Sequence, residues 1–250
     1  MLHKIKPVLI KLRQTKPLIL CLTNNVTMDF MANCLLALGA APIMSNDQRE
    51  FDELVQLSAS ININIGTLDK QFISNAKILA KLAQKYCKPI AFDPVGAGAS
   101  LLRTKTAHEL MPFANIIRGN ASEILALAEM AEKTFGVEAA HAVNDAKNSA
   151  LTLAAKYKCT IAVSGPEDFI TNGQQQETLS YGSPIMSKIT GMGCALTAII
   201  AAFIAVEQDF FEATKLAIGY FGLCGNLAEH KTNKPGSFRV TFIDALNYEI

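Results

Sequence analysis

Charge is what this sequence has little of. Its 250 residues carry 23 basic and 22 acidic side chains, a formal net charge of +1, so no electrostatic surplus marks it for nucleic acid. Histidine is scarce as well: His3, His108, His141 and His230 fall in no metal-ligand spacing, which argues against a zinc enzyme. The cysteines, Cys21, Cys34, Cys87, Cys159, Cys194 and Cys224, include no Cys-x-x-Cys pair and sit mostly among apolar neighbours. That scatter favours reduced core thiols and a cytoplasmic setting over a disulfide frame. The N-terminus lacks an apolar h-region and a cleavage site. The stretch from Ile189 to Val206 is uncharged, but its continuous apolar part falls short of the roughly 20 residues needed to cross a bilayer. It reads as a helix buried inside the protein, and no membrane partner is expected.

What is there is a core-forming chain, 50% hydrophobic and only 18% charged, whose length suits one domain over residues 1–250. No repeat, low-complexity tract or linker marks a second domain, and no spare segment is left for a lid. Lys4, Lys6, Lys11, Arg13 and Lys16 accompany the apolar spacing Ile5, Val8, Leu9, Leu12, the pattern of an amphipathic helix with a solvated basic face. Strand-like runs then alternate with helical ones. Leu18 to Leu22 precedes a helix from about Thr27 to Leu38, ended by Gly39, and Ala41 to Met44 begins the next extended run. Ser60 to Ile65 alternates with period two before a helix from about Asp69 to Tyr86. The rhythm continues through Ile90-Ala91-Phe92, Ile116-Ile117 and Thr160 to Val163. Repeated β-α units predict a mainly parallel sheet with helices on both faces and ligands at the carboxyl ends of the strands. Asn172-Gly173, between two short strand-like runs, predicts a small antiparallel hairpin.

Three segments carry chemistry. In Ile189-Thr190-Gly191-Met192-Gly193-Cys194 two glycines bracket one residue at a helix entrance, where unpaired N–H groups and the positive end of the helix dipole can face a phosphoryl group. Cys194 stands in the first turn, a position that tends to lower a thiol's pKa. Asp93-Pro94-Val95-Gly96-Ala97-Gly98-Ala99 puts a carboxylate at a strand's carboxyl end, able to hold a metal or a water. In Arg118-Gly119-Asn120-Ala121-Ser122-Glu123, Asn120 and Glu123 have capping-box spacing, and Arg118 read alone is equally a surface ion pair.

Together with Leu22-Thr23-Asn24-Asn25-Val26-Thr27, the run Ala32 to Met44, Asn64-Ile65-Gly66-Thr67-Leu68 and Val163 to Asp168, these motifs resemble the hydroxyethylthiazole kinases of the ribokinase-like superfamily. The matches run in order from about Pro17 to about Val206. The resemblance implies a ribokinase-like three-layer αβα fold without a separate lid domain. It also implies ATP-dependent phosphorylation of 4-methyl-5-(2-hydroxyethyl)thiazole in thiamine biosynthesis or salvage, with Mg²⁺, in a homotrimer whose neighbouring subunit closes the site. By the same resemblance Cys194, Gly191 and Gly193 are catalytic and Met44 and Gly191 contact substrate. Arg118 and Ser164 contact ATP, and Asp93 and Glu123 are linked to the metal. Cys194 stands where most ribokinase-like kinases have an aspartate base. It either accepts the alcohol's proton or only orients the alcohol, and orientation is favoured. Glu167 and Asp168 are read as solvated loop acids.

Departures from the family pattern are Arg49-Glu50 in place of two adjacent acids, Asp29 where Asn is common, and Phe135 to His141 in place of a Gly-Val-Asp segment. The rival readings are a hydroxymethylpyrimidine kinase or a nicotinamide-nucleotide-hydrate dehydratase of the same fold, both of which usually carry aspartate at the position of Cys194, and a non-catalytic metabolite-binding protein.

Overall fold

A computed structural model of the chain describes residues 1–133 and 146–248; the departure at 135–141 lies outside the described residues. The strands are β1 (Leu18–Leu22), β2 (Ala41–Met44), β3 (Ser60–Asn64), β4 (Ile90–Asp93), β5 (Ile116–Asn120), β6 (Thr160–Ser164), β7 (Asp168–Thr171) and β8 (Gln176–Leu179). The helices are α1 (Leu2–Thr15), α2 (Met28–Leu38), α3 (Phe51–Leu57), α4 (Lys70–Lys85), α5 (Leu101–Leu110), α6 (Ala121–Lys133), α7 (Ala146–Tyr157), α8 (Met192–Ile204), α9 (Phe210–Lys231) and α10 (Pro235–Leu246). The strands form one sheet in the order β2-β1-β3-β4-β5-β6-β7-β8. Pairing is parallel from β2 to β6 and antiparallel in the β7-β8 hairpin announced by Asn172-Gly173.

Two apolar layers flank the sheet. On one side β-strand residues such as Ile19, Ala91, Ile116 and Ala162 pack with α1, α2, α8, α9 and α10. On the other, Leu20, Ile61, Ile63, Phe92, Ile117 and Ile161 pack with α3 to α7. This is the expected three-layer αβα arrangement, a consequence of parallel strands that can hide both faces only under crossover helices.

Local sequence explains the helix limits. Asp69 accepts the Phe72 N–H as N-cap of α4, and Gly39 ends α2 in the left-handed region. Helix α8 is almost wholly buried, from Ala195 to Ile204, which is why its sequence carries no charge. Among the described residues no helix is long and apolar enough to cross a membrane.

Two expectations need revision. Arg13 is not part of a solvated face: its guanidinium donates to the carbonyls of Leu246 and Tyr248, tying α1 to the C-terminal segment. The polar positions of the β3 alternation, Ser60, Asn62 and Asn64, are all buried beneath α8. Asp168 is half-buried at the start of β7, where it accepts the Gly165 N–H, and burial pushes its carboxyl up to about 6. Glu167 is exposed as expected.

Candidate active site

Parallel register brings the chemistry-bearing residues to one edge. Asn64 lies beside Asp93 at the ends of β3 and β4, and Asn120 lies beside Ser164 at the ends of β5 and β6. Side chains alternate across a strand, so Asn64, Asp93 and Arg118 project to the face covered by the N-terminus of α8.

That N-terminus is open. Gly191 is its N-cap at φ 94° and no side chain caps the first turn, so backbone N–H groups there are free for an anion. The two glycines serve for different reasons. A Cβ on Gly191 would strain the left-handed backbone and meet Thr27 at 2.8 Å, whereas a Cβ on Gly193 would run into the Arg118 guanidinium. Substitution at Gly191 therefore threatens the fold as well as the loop. At Gly193 the obstacle is the far end of a flexible side chain.

Asp93 is fully buried. Its Oδ2 accepts from Asn64 Nδ2 at 2.9 Å and Thr197 Oγ1 at 2.9 Å, with Arg118 Nη1 at 3.6 Å, while Oδ1 has no hydrogen-bond partner among the described residues. Burial, aided by the charge of Glu123, raises the Asp93 carboxyl to about 6 against the opposing pull of Arg118. Arg118 also donates to Ser164 Oγ, so the two residues assigned to the nucleotide touch each other.

Glu123 realises the capping box: Asn120 Oδ1 accepts the Glu123 N–H, and Glu123 Oε2 accepts the Asn120 N–H. It does more than cap, because Oε1 accepts the Gly96 N–H at 2.8 Å and so links α6 to the glycine-rich loop after Asp93. Arg103 braces that loop from the other side by donating to the carbonyls of Ile65, Gly66 and Val95.

Cys194 is partly exposed and accepts a hydrogen bond from Asn24 Nδ2 at 3.5 Å. Its pKa is raised, contrary to the expectation from its helical position: burial and then the charge of Asp93 outweigh the hydrogen bonds of Thr27 and Asn64 and the charge of Arg118. Met44 lines a cavity of about 250 Å³ with Thr23, Asn25, Met28, Thr67 and Phe72. Thr23 and Asn25 flank Asn24, whose amide reaches the thiol. Larger crevices open at the opposite, amino ends of the strands around Asn115, Lys158 and Phe210.

Among the described residues no three metal-binding side chains cluster. Two carboxylates, one with an unpartnered buried oxygen, nevertheless fit Mg²⁺, which is held by one or two carboxylates plus waters and substrate phosphates.

An anion-binding helix terminus, a buried carboxylate, a guanidinium and a thiol on a parallel sheet form a phosphoryl-transfer arrangement. Residues 9–249 match the sequence profile of the Hydroxyethylthiazole kinase family. The chain belongs to that family. It is 49% identical over 248 residues to the hydroxyethylthiazole kinase of Chlamydia felis, covering 98% of this chain and 95% of the relative. The solved hydroxyethylthiazole kinase protein from Pyrococcus horikoshii superposes with a TM-score of 0.91 at 33% identity, over 99% of this chain and 93% of that one. A ribokinase-like superfamily protein from Enterococcus faecalis, at 15% identity and a TM-score of 0.67 over 94% of this chain and 88% of its own, shares the fold. The chain is thus a kinase with the ribokinase-like fold. Membership decides for hydroxyethylthiazole kinase over the pyrimidine-kinase and dehydratase readings.

In this kinase the family departures among the described residues sit at the periphery. Asp29 pairs with Arg239 at 3.2 Å on the α2-α10 seam, and Arg49 pairs with Asp47 in the loop after Met44. Sequence reasoning assigned no role to Asn24, Asn64, Arg103 or Thr197. The available signal was the pair of asparagines in β3, polar residues in a strand flanked by buried ones.

Proposed function

We propose that this kinase transfers the γ-phosphoryl group of ATP to the primary alcohol of 4-methyl-5-(2-hydroxyethyl)thiazole. The observation that carries the reading is the convergence of Asp93, Arg118, Ser164 and Cys194 on the open α8 terminus. The N–H groups around Gly191 and Gly193 stabilise charge on the transferring oxygens, and Arg118 with Ser164 holds the nucleotide phosphates. Met44 packs a thioether on the thiazole ring, next to Gly191. Asp93 and Glu123 would hold Mg²⁺, which when bound would supply positive charge against the phosphates. A thiol raised by burial supports the orienting role for Cys194 over that of a thiolate base.

The apolar side chains Val26, Leu101 and Leu102, 71%, 76% and 56% exposed, lie in the loops and helix start that follow β1 and β4. They support a homotrimer in which a second subunit closes the site; the enzyme acts in the cytosol on a thiamine precursor. A mass measurement in solution checks the trimer.

The deciding experiment follows ATP consumption by purified protein with Mg²⁺ and three alcohols. The thiazole should turn over far faster than hydroxymethylpyrimidine or a pentose. An equal rate on the pyrimidine overturns the substrate, and no turnover on any alcohol favours a metabolite-binding protein.

A further inference from the structure

The turn before α2, the end of β3 and the start of α8 meet through two buried side-chain amides. Asn24 is 3% exposed and Asn64 fully buried. The orientation of each amide is fixed by its partners. Asn24 Oδ1 accepts from the Val26 N–H at 3.1 Å, the Thr27 N–H at 3.0 Å and Thr27 Oγ1 at 3.0 Å. Its Nδ2 must then face the other way, where it donates to Asn64 Oδ1 at 2.9 Å and Cys194 Sγ at 3.5 Å. Asn64 Oδ1 also accepts the Gly66 N–H at 3.0 Å, which leaves its Nδ2 for Asp93 Oδ2 at 2.9 Å. Flipping either amide would set donor against donor or carbonyl against carboxylate. Gly66 closes the arrangement, since a Cβ there would lie 2.8 Å from the Asn24 side chain.

We propose that Asn24 and Asn64 are positioning residues for phosphoryl transfer, an amide bridge that holds the Cys194 sulfur at the acceptor alcohol in fixed relation to the Asp93 carboxylate. The proposal rests on the kinase reading above and adds to it how the thiol is aimed. Asn24 donates to the sulfur and Thr27 and Asn64 flank it, so the polar groups around the thiol fix the direction from which its S–H faces the alcohol oxygen. Thr27, anchored on Asn24, also packs against Gly191, so the same amide ties the thiol to the anion-binding loop.

Asn24→Asp separates this role from a structural one. A carboxylate still accepts from Val26 and Thr27 and keeps the turn, but it has no hydrogen to give to Cys194 or Asn64. With MgATP and the thiazole alcohol, kcat should fall about tenfold, the order of one lost hydrogen bond, with the KM for ATP within about twofold of wild type. In a Cys194→Ala background the same substitution should change kcat by less than about twofold, because coupled groups are not additive. A second arm needs no substrate: in a Cys87→Ser protein, iodoacetamide labelling of Cys194 at one fixed pH should slow about fivefold in Asn24→Asp, since the sulfur has lost its donor and gained an anion. If Asn24→Asp fails to fold, Asn64→Ser carries the same pattern of kcat loss confined to the Cys194 background. Equal kcat losses with and without Cys194, or unchanged labelling, overturn the proposal. If wild type ignores the thiazole alcohol, the substrate reading fails while the labelling arm still decides the bridge.

Discussion

Asn64 and Asn62 project from the same face of β3, one step apart and both fully buried, yet they lead opposite lives. Around Asn64, at the carboxyl end of the strand, polar groups are bonded to one another: Asn24, Asp93, Thr197, Arg118 and Cys194 form one connected set. Around Asn62, deeper under α8, the amide lies against the buried Cys21 thiol, and neither its nitrogen nor its oxygen has a well-formed hydrogen bond among the described residues. The upper end stores polar groups where substrate can use them. The lower end carries a desolvation cost with no chemistry in return, so the two regions should respond oppositely to mutation.

The sharpest way to break the contrast is to block the upper end. Gly193→Val should lower kcat by about 10² to 10³, the cost of disturbing aligned donors to a developing oxyanion, while the melting temperature falls less than in Gly191→Val because the obstacle is the far end of the Arg118 side chain. Gly191→Val should lose stability as well as activity, since its backbone sits at φ 94° against Thr27. Thermal melts beside steady-state assays separate the two, and equal stability of both variants contradicts the distinction.

Next in size is the acid limb. Asp93, raised to about 6 by burial, takes up a proton below that pH, so kcat/KM should drop about tenfold per unit below pH 6. The stability sign is the reverse: a carboxyl whose folded pKa is raised contributes stability fully present below its unfolded value near 3.8 and lost as pH rises through about 6. Asp93→Asn should therefore be inactive yet more resistant to urea at pH 7. Asp168 also titrates near 6, and an acid limb that vanished in Asp168→Asn would reassign the effect.

Glu123→Gln is a smaller perturbation. Glutamine offers one oxygen where Glu123 uses two, so either Gly96 or Asn120 loses its acceptor and the metal cluster loses a charge. The Mg²⁺ concentration for half-maximal rate should rise several-fold, with a stability loss of about 1 kcal/mol. An unaltered Mg²⁺ titration would leave Glu123 a capping residue only.

The smallest effect tests the lower end. Asn62→Leu keeps the branched shape without unpaired polar atoms and should stabilise the protein by about 1 kcal/mol in urea unfolding while kcat stays at the wild-type value. A destabilised variant, or one with altered turnover, would join Asn62 to the site and erase the contrast between the two halves.

Much of this protein was legible along the chain. Periodicity marked the strands and α4, Gly39 and Asp69 marked helix ends, Asn172-Gly173 marked the hairpin, and the uncharged run marked α8 as a buried helix, because each signal is local and acts within a few residues. The ordered motifs also pointed to the family and to Asp93, Arg118, Glu123 and the Gly191 loop. What the chain could not express was the environment of those residues. The thiol of Cys194 is raised and not lowered because Asp93 and surrounding atoms arrive from other elements. Asn24 and Asn64 acquire their roles only where β1, β3, β4 and α8 converge, and Asp168 becomes half-buried only when β7 folds back on β6. Helices, strands and turns follow from short-range sterics and hydrophobic spacing; desolvation, partner identity and amide orientation depend on contacts between segments far apart in sequence, and those only the tertiary structure decided.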